Sequence, residues 1–225
     1  MSARMKLDFV SDVSCPWCAI GLQGLLAALG TLKNAIEPEL HFQPFELNPD
    51  MGPAGEDIAE HIAGKYGSTA EQFAQSQEMI RARGAQLGFH FDMHKRTRIY
   101  NTFDAHRLLH WAGLTGKQLE LKQALFGAYF TDGADPSNHT VLAAIAARVG
   151  LDPAQTNEIL ASDRYAADVR AREQFYRNLG IGAVPAIIVN DRHLIEGGQP
   201  VAVFEQILRR LSGTVADGIP KSHQA

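Results

Sequence analysis

Cys15-Pro16-Trp17-Cys18 holds the only two cysteines in a chain of 225 residues. Sulfurs at this spacing can close into a disulfide and reopen, which is the chemistry of electron exchange with another thiol or disulfide. The attacking species in that exchange is a thiolate. Cys15 is expected at a helix N-terminus, where unpaired N–H groups and the positive end of the helix dipole favour negative charge. In motifs of this kind a thiol pKa falls from about 8.5 to roughly 3.5–7.5. Cys15 is therefore the expected nucleophile. Cys18, one turn further in, would resolve the mixed disulfide by attacking Cys15. Pro16 stiffens the turn between them. Trp17 carries no charge, so the pair is expected to be less oxidising than a Cys-Pro-His-Cys variant.

A thiol pair can also be half of a zinc site, but zinc wants four ligands. There is no second cysteine pair. His106 and His110 fall one helical turn apart, yet no Glu occupies the metalloprotease position between them. The expectation is no metal.

The elements that must hold Cys15 and Cys18 follow from periodicity. Lys6 to Ser11 alternates apolar and polar residues, as a strand does. Ser14 or Cys15 can cap the helix that follows, with Pro16 in its first turn, and Ile20 to Leu29 carry it to Gly30. Glu39 to Leu47 alternates again, and Pro44 marks part of it as an edge or bulge. Helical spacing then covers Ile58–Tyr66, Ala70–Leu87, Asn101–Ala112, Lys117–Phe130, Pro136–Val149 and Asp152–Leu160. A long helix over Asp163–Leu179 stops at Gly180. Pro185–Val189 and His193–Glu196 form a hairpin through Asn190-Asp191. Gly197-Gly198 break it, and Val201–Leu211 is a closing helix.

This order implies an α/β chain with a β-α-β-α-β-β-α frame of thioredoxin type and an all-helical insertion. The frame is expected from 1–50 and 162–213, the insertion from 51–161, and a flexible tail over 214–225. A crossover helix between the first two strands favours parallel pairing.

Net charge is −4, with 45% hydrophobic and 20% charged residues. No basic run suggests nucleic acid. No segment approaches the roughly 20 apolar residues of a membrane span, and no signal-peptide pattern opens the chain. A cytoplasmic protein is expected, as a monomer or a homodimer.

Other candidates have plainer readings. His106 is read as a histidine bonded at a helix interface, and His41, His90 and His94 as structural or solvated. Asp12 could relay a proton for Cys18, although an acid just before a helix is more often a turn or cap residue. Phe126, Tyr129 and Phe130 form an apolar stripe that belongs in a core.

With these residues in view, the chain resembles the DsbA-like thioredoxin-fold oxidoreductases. The resemblance rests on Asp8–Asp12, Cys15-Pro16-Trp17-Cys18 with Ile20-Gly21, and Gly182-Ala183-Val184-Pro185. Asn101-Thr102-Phe103-Asp104-Ala105-His106-Arg107 narrows it to the FrnE branch. It spans residues 6 to 212. It implies that Cys15 attacks, Cys18 resolves, and Pro185 is a cis-proline facing them, with the Val184 backbone free to pair with an extended substrate. It also implies that the insertion caps the site, so that Asn101 and His106 line the groove. Some members of the branch carry a further cysteine pair near the C-terminus, which this chain lacks. A sister family of 2-hydroxychromene-2-carboxylate isomerases and kappa-class glutathione transferases usually has Ser at the position of Cys15.

Three functions follow. The leading one is a thiol–disulfide oxidoreductase or isomerase with no cofactor beyond its own redox-active disulfide, acting on protein or small-molecule thiols and disulfides. Glutathione is a candidate co-substrate. The second is glutathione-dependent isomerisation or conjugation of a small aromatic compound. The third is a redox-sensing or chaperone-like binding module.

Overall fold

The computed structural model describes residues 2–213, and the tail expected over 214–225 lies outside them. The chain opens with β1 (Ala3–Ser11), α1 (Pro16–Thr31) and β2 (Ile36–Pro44). It continues through β3 (Glu56–Asp57), α2 (Ile58–Tyr66), α3 (Ala70–Gln86) and β4 (Arg98–Ile99). Next come α4 (Phe103–Leu114), α5 (Gln118–Phe130), α6 (His139–Arg148) and α7 (Pro153–Leu160). It closes with α8 (Ala166–Asn178), β5 (Ala186–Val189), β6 (His193–Glu196) and α9 (Val201–Leu211).

The main sheet has the order β2-β1-β5-β6. β1 and β2 run parallel because α1 carries the chain across between them. β5 pairs antiparallel with β1 and with β6. This is the thioredoxin-like α/β frame. The hairpin turns at Asn190 and Asp191, both at positive φ (51° and 56°), a conformation these residue types tolerate. β2 lies at the sheet edge, which accommodates Pro38 and Pro44 in the strand.

Alternation along β1 divides the packing. Met5, Leu7 and Phe9 enter a cluster with α1 and with Phe204 and Leu208 of α9. Val10 enters another with Tyr176 of α8 and Ile181. Phe126, Tyr129 and Phe130 of α5 join the α1 cluster, as the apolar stripe implied. The α4–α7 segment builds a separate cluster that includes Leu108, Trp111, Leu125 and Ile145, and Val13 of the β1–α1 loop is buried in it. The loop that delivers Cys15 is thus held from both sides.

Two expectations need correction. The second strand ends at Pro44 rather than Leu47. The next amides leave the ladder because side chains take them: Glu46 N–H donates to Glu173 Oε1 at 3.0 Å and Leu47 N–H to Asp12 Oδ2 at 2.8 Å. The insertion is not all helical, since β3 and β4 form a short antiparallel ladder. A two-residue strand is too brief to show alternation in the sequence.

Candidate active site

Cys15 is the N-cap of α1, with extended backbone (φ −88°, ψ 111°), and Pro16 begins the helix. An N-cap side chain faces amides that the first turn leaves unpaired. Here the Cys18 N–H donates to Cys15 Sγ at 3.3 Å. The Cys15 thiol donates to the Val184 carbonyl at 3.7 Å, and the Val184–Pro185 bond that follows is cis. Both cysteines are free. Cys18 is wholly buried, and its thiol is pushed well up, first by burial and then by its hydrogen bond to Cys15.

Close backbone packing fixes α1 against the cis-proline loop. A Cβ on Gly21 would lie 3.0 Å from Pro185 Cγ, and one on Gly198 would lie 3.0 Å from the Trp17 carbonyl oxygen. These glycines let the cysteine-bearing turn, Pro185 and the β6–α9 loop meet without intervening side chains.

Cys15, Pro16, Trp17 and Val184 form one wall of a groove of about 690 Å³. Tyr66, Phe73 and Ile80 from α2 and α3 add apolar lining to it. Asn101 and His106, expected in this groove, are not in its wall. Asn101 is spent on the main chain, accepting from Phe103 N–H at 2.9 Å and donating to Met51 O at 3.4 Å. His106 is buried, with Nε2 at 3.5 Å from Asp12 Oδ1, and it borders a different cavity. That distance is within ion-pair range but long for a hydrogen bond.

Asp12 has the hydrogen bonds of a turn acid. Its carboxylate accepts from Ser14 N–H at 3.2 Å, Ser14 Oγ at 3.0 Å and Leu47 N–H at 2.8 Å. Burial alone would raise it, but His106 and the Leu47 amide outweigh burial and hold it at about 2. It stays ionised at neutral pH.

Arg96, Lys122 and Glu46 are buried charged residues that carry no motif in the sequence. Arg96 donates from Nη2 to the Ser14 carbonyl at 3.2 Å and rests on Tyr129 and Phe130, 5.2 and 5.1 Å from their ring centres. It braces the peptide just before Cys15 and lines the groove. Lys122 of α5 is fully buried over the ring of Phe126, 4.8 Å from its centre. Glu46, also on the groove, pairs with Arg170, which bridges to Glu173 at 2.8 Å.

Glu46 is raised to about 7 by burial and then by the Glu173 charge, with Arg170 working against both. A raised carboxyl binds its proton more tightly in the folded state, so its contribution is complete below the ordinary carboxyl range and is lost as pH rises through about 7. Glu46→Gln is expected to melt above wild type near about pH 8 and to lose that advantage near about pH 5. Thermal unfolding at both values checks this. An equal difference at the two pH values would count against it.

Among the described residues no group of three or more His, Cys, Asp or Glu side chains is placed to hold a metal ion. No helix among them is long and apolar enough to cross a membrane.

The site and fold place the chain in a known group. Residues 6–209 match the DSBA-like thioredoxin domain, and the chain belongs to that family. Among curated proteins there is no match. Of solved structures, a probable DsbA oxidoreductase from Streptomyces coelicolor is 28% identical with a TM-score of 0.84, covering 98% of this chain and 95% of its own. A 2-hydroxychromene-2-carboxylate isomerase superposes with a TM-score of 0.71 at 13% identity, over 94% of this chain and all of its own (100%). The cytosolic disulfide reductase DsbM from Pseudomonas aeruginosa, solved with GSH, gives 0.62 at 17% identity, over 92% and 98%. The last two are similar in fold.

Proposed function

We propose that this protein is a thiol–disulfide oxidoreductase that works through the Cys15–Cys18 dithiol. The observation that carries the reading is Cys15 Sγ at the N-cap of α1, on the groove wall, accepting the Cys18 amide at 3.3 Å. An anion at that position gains a charge-assisted hydrogen bond that a neutral thiol does not.

In the reducing direction, Cys15 thiolate attacks one sulfur of a substrate disulfide. A Cys15–substrate disulfide forms, the substrate S–S bond breaks, and the departing sulfur takes the electron pair and a proton. Cys18 then loses its proton and attacks Cys15. The Cys15–Cys18 disulfide forms, and the second substrate sulfur leaves as a thiol. The same steps reversed oxidise a dithiol. Cys15 is the nucleophile, Cys18 the resolving thiol, and Pro16 and Trp17 shape the turn between them. Val184 lines the groove with Cys15, and the cis-proline Pro185 follows it in the chain.

The family supports the chemistry, and the DsbM neighbour, described as cytosolic, supports a disulfide substrate met in a reducing compartment. The groove's apolar lining suits a disulfide carried on an apolar segment or compound. Insulin reduction by dithiothreitol tests the reading. Wild type is expected to accelerate precipitation of the freed chain, and Cys15→Ser is expected to match the protein-free assay. Acceleration that survives Cys15→Ser overturns it, and glutathione-dependent turnover of an aromatic compound by that variant would favour an isomerase instead.

A further inference from the structure

Lys65 of α2, Arg96 between α3 and β4, and Arg177 of α8 line the groove that holds Cys15. Each is bonded to neutral groups. Lys65 Nζ donates to Leu47 O at 2.7 Å and to Asn48 Oδ1 at 2.6 Å. Arg96 is only 7% exposed; its Nη2 donates to Ser14 O at 3.2 Å, and its buried Nε has no hydrogen-bond partner. Arg177 Nη2 donates to Glu46 O at 3.0 Å, and its guanidinium lies 4.4 Å from the ring centre of Phe45. Among the described residues, none of the three pairs with a carboxylate. The groove lining has one carboxyl, Glu46, and Arg170 pairs with it. His61, also on the lining, is paired with Glu56 at 2.6 Å. Asp50, Glu56, Asp57 and Glu60 border an adjoining cavity that Lys65 shares and the two arginines do not. The arginines therefore carry most of the uncompensated charge. This happens in a chain whose net charge is −4.

A buried cation without a counter-ion is costly, so these charges need an explanation. A Cys15 thiolate balances one of them and leaves the others. A cleft lined by one sign of charge concentrates ligands of the other sign, and the arginine fork matches a carboxylate. We propose that the groove selects disulfides that carry a carboxylate on an apolar body, with Arg96, Arg177 and Lys65 attracting the carboxylate and Trp17, Tyr66 and Phe73 receiving the body. The inference rests on the oxidoreductase reading and adds the class of substrate. The groove's volume of about 690 Å³ is that of a small-molecule site, which fits a compact organic disulfide. The chemistry is that of the reducing direction above. The Cys15–Cys18 dithiol gives two electrons and two protons to the disulfide, which leaves as two thiols, and the protein is left with its own disulfide.

The test compares 4,4′-dithiodibenzoate with its bis-amide, which share an aromatic body and differ in charge. The reduced full chain is mixed with each at low ionic strength, and thiol release is followed. The readout is the ratio of the two second-order rates, divided by the same ratio for free dithiothreitol. Wild type is expected to favour the dianion about tenfold on this scale. Arg177→Gln is expected to cut that preference about fivefold and Lys65→Gln about twofold, whereas Arg177→Lys keeps most of it. Salt at about 0.5 M is expected to remove most of it in wild type. A merely structural disturbance lowers both rates and leaves their ratio in place. A wild-type ratio no higher than that of dithiothreitol, or one that Arg177→Gln leaves unchanged, overturns the inference while the oxidoreductase reading stands. If wild type reduces neither compound faster than Cys15→Ser does, the oxidoreductase reading falls and this inference with it.

Discussion

Cys18→Ser protein, mixed with a disulfide substrate, is expected to accumulate a covalent adduct at one substrate fragment per chain, and Cys15→Ser protein is expected to accumulate none. The asymmetry follows from access. Cys15 lies on the groove wall with an amide directed at its sulfur, whereas Cys18 is wholly buried behind it and its thiol is pushed well up. A serine at position 18 leaves the first attack intact and removes the only sulfur within the chain that can release the adduct. Turnover in the insulin assay should fall to the protein-free rate in both variants, so the adduct is what separates the two roles. Mass spectrometry of the intact protein reads it. An adduct on Cys15→Ser, or none on Cys18→Ser, would reverse or remove the assignment.

Asp12→Ala is expected to cost about 3–5 kcal/mol, because removing one partner of a buried pair leaves the other uncompensated. Four contacts go together: the Ser14 amide and hydroxyl, the Leu47 amide and the His106 ring. Part of this cost is visible through pH. The Asp12 carboxyl sits at about 2 in the fold against an ordinary 3.8. A depressed carboxyl stabilises the fold above its ordinary range and loses that contribution as pH falls through its folded value. The part of the cost linked to ionisation is about 2 kcal/mol. In a chain of this size the whole change corresponds to a melting temperature lower by roughly 10 °C. Thermal unfolding at neutral pH should show that drop, and the gap should narrow toward about pH 2. Wild-type stability in Asp12→Ala at neutral pH would mean the carboxylate is not holding the β1–α1 loop to Leu47 and α4.

The frame was legible because its signals are local. Alternation in Lys6–Ser11, proline after cysteine at a strand-to-helix junction, and Asn190-Asp191 between two short apolar runs each act within a few residues. The cysteine pair is legible in the same way, whereas the cis Val184–Pro185 bond follows from the resemblance and not from the residues themselves. What the sequence hid depends on long-range partners. The second strand stops at Pro44 because Asp12 and Glu173 take the next amides, and neither is near it in the chain. Asn101 and His106 looked like groove residues by family position, yet one is bound to Met51 and Phe103 and the other turns toward Asp12. Lys122 left a trace that could have been read. It sits one helical turn before Phe126, inside the stripe that continues to Tyr129 and Phe130, and a lysine in an apolar stripe is either snorkelling or buried for a reason.

The proposed mechanism requires that Cys15 alone meets substrate. Brief exposure of the reduced chain to limiting iodoacetamide, followed by peptide mapping, tests it directly. The expected map shows label on Cys15 with Cys18 unmodified until the protein is unfolded. Equal labelling of both sulfurs in the folded chain, or label first on Cys18, would contradict it.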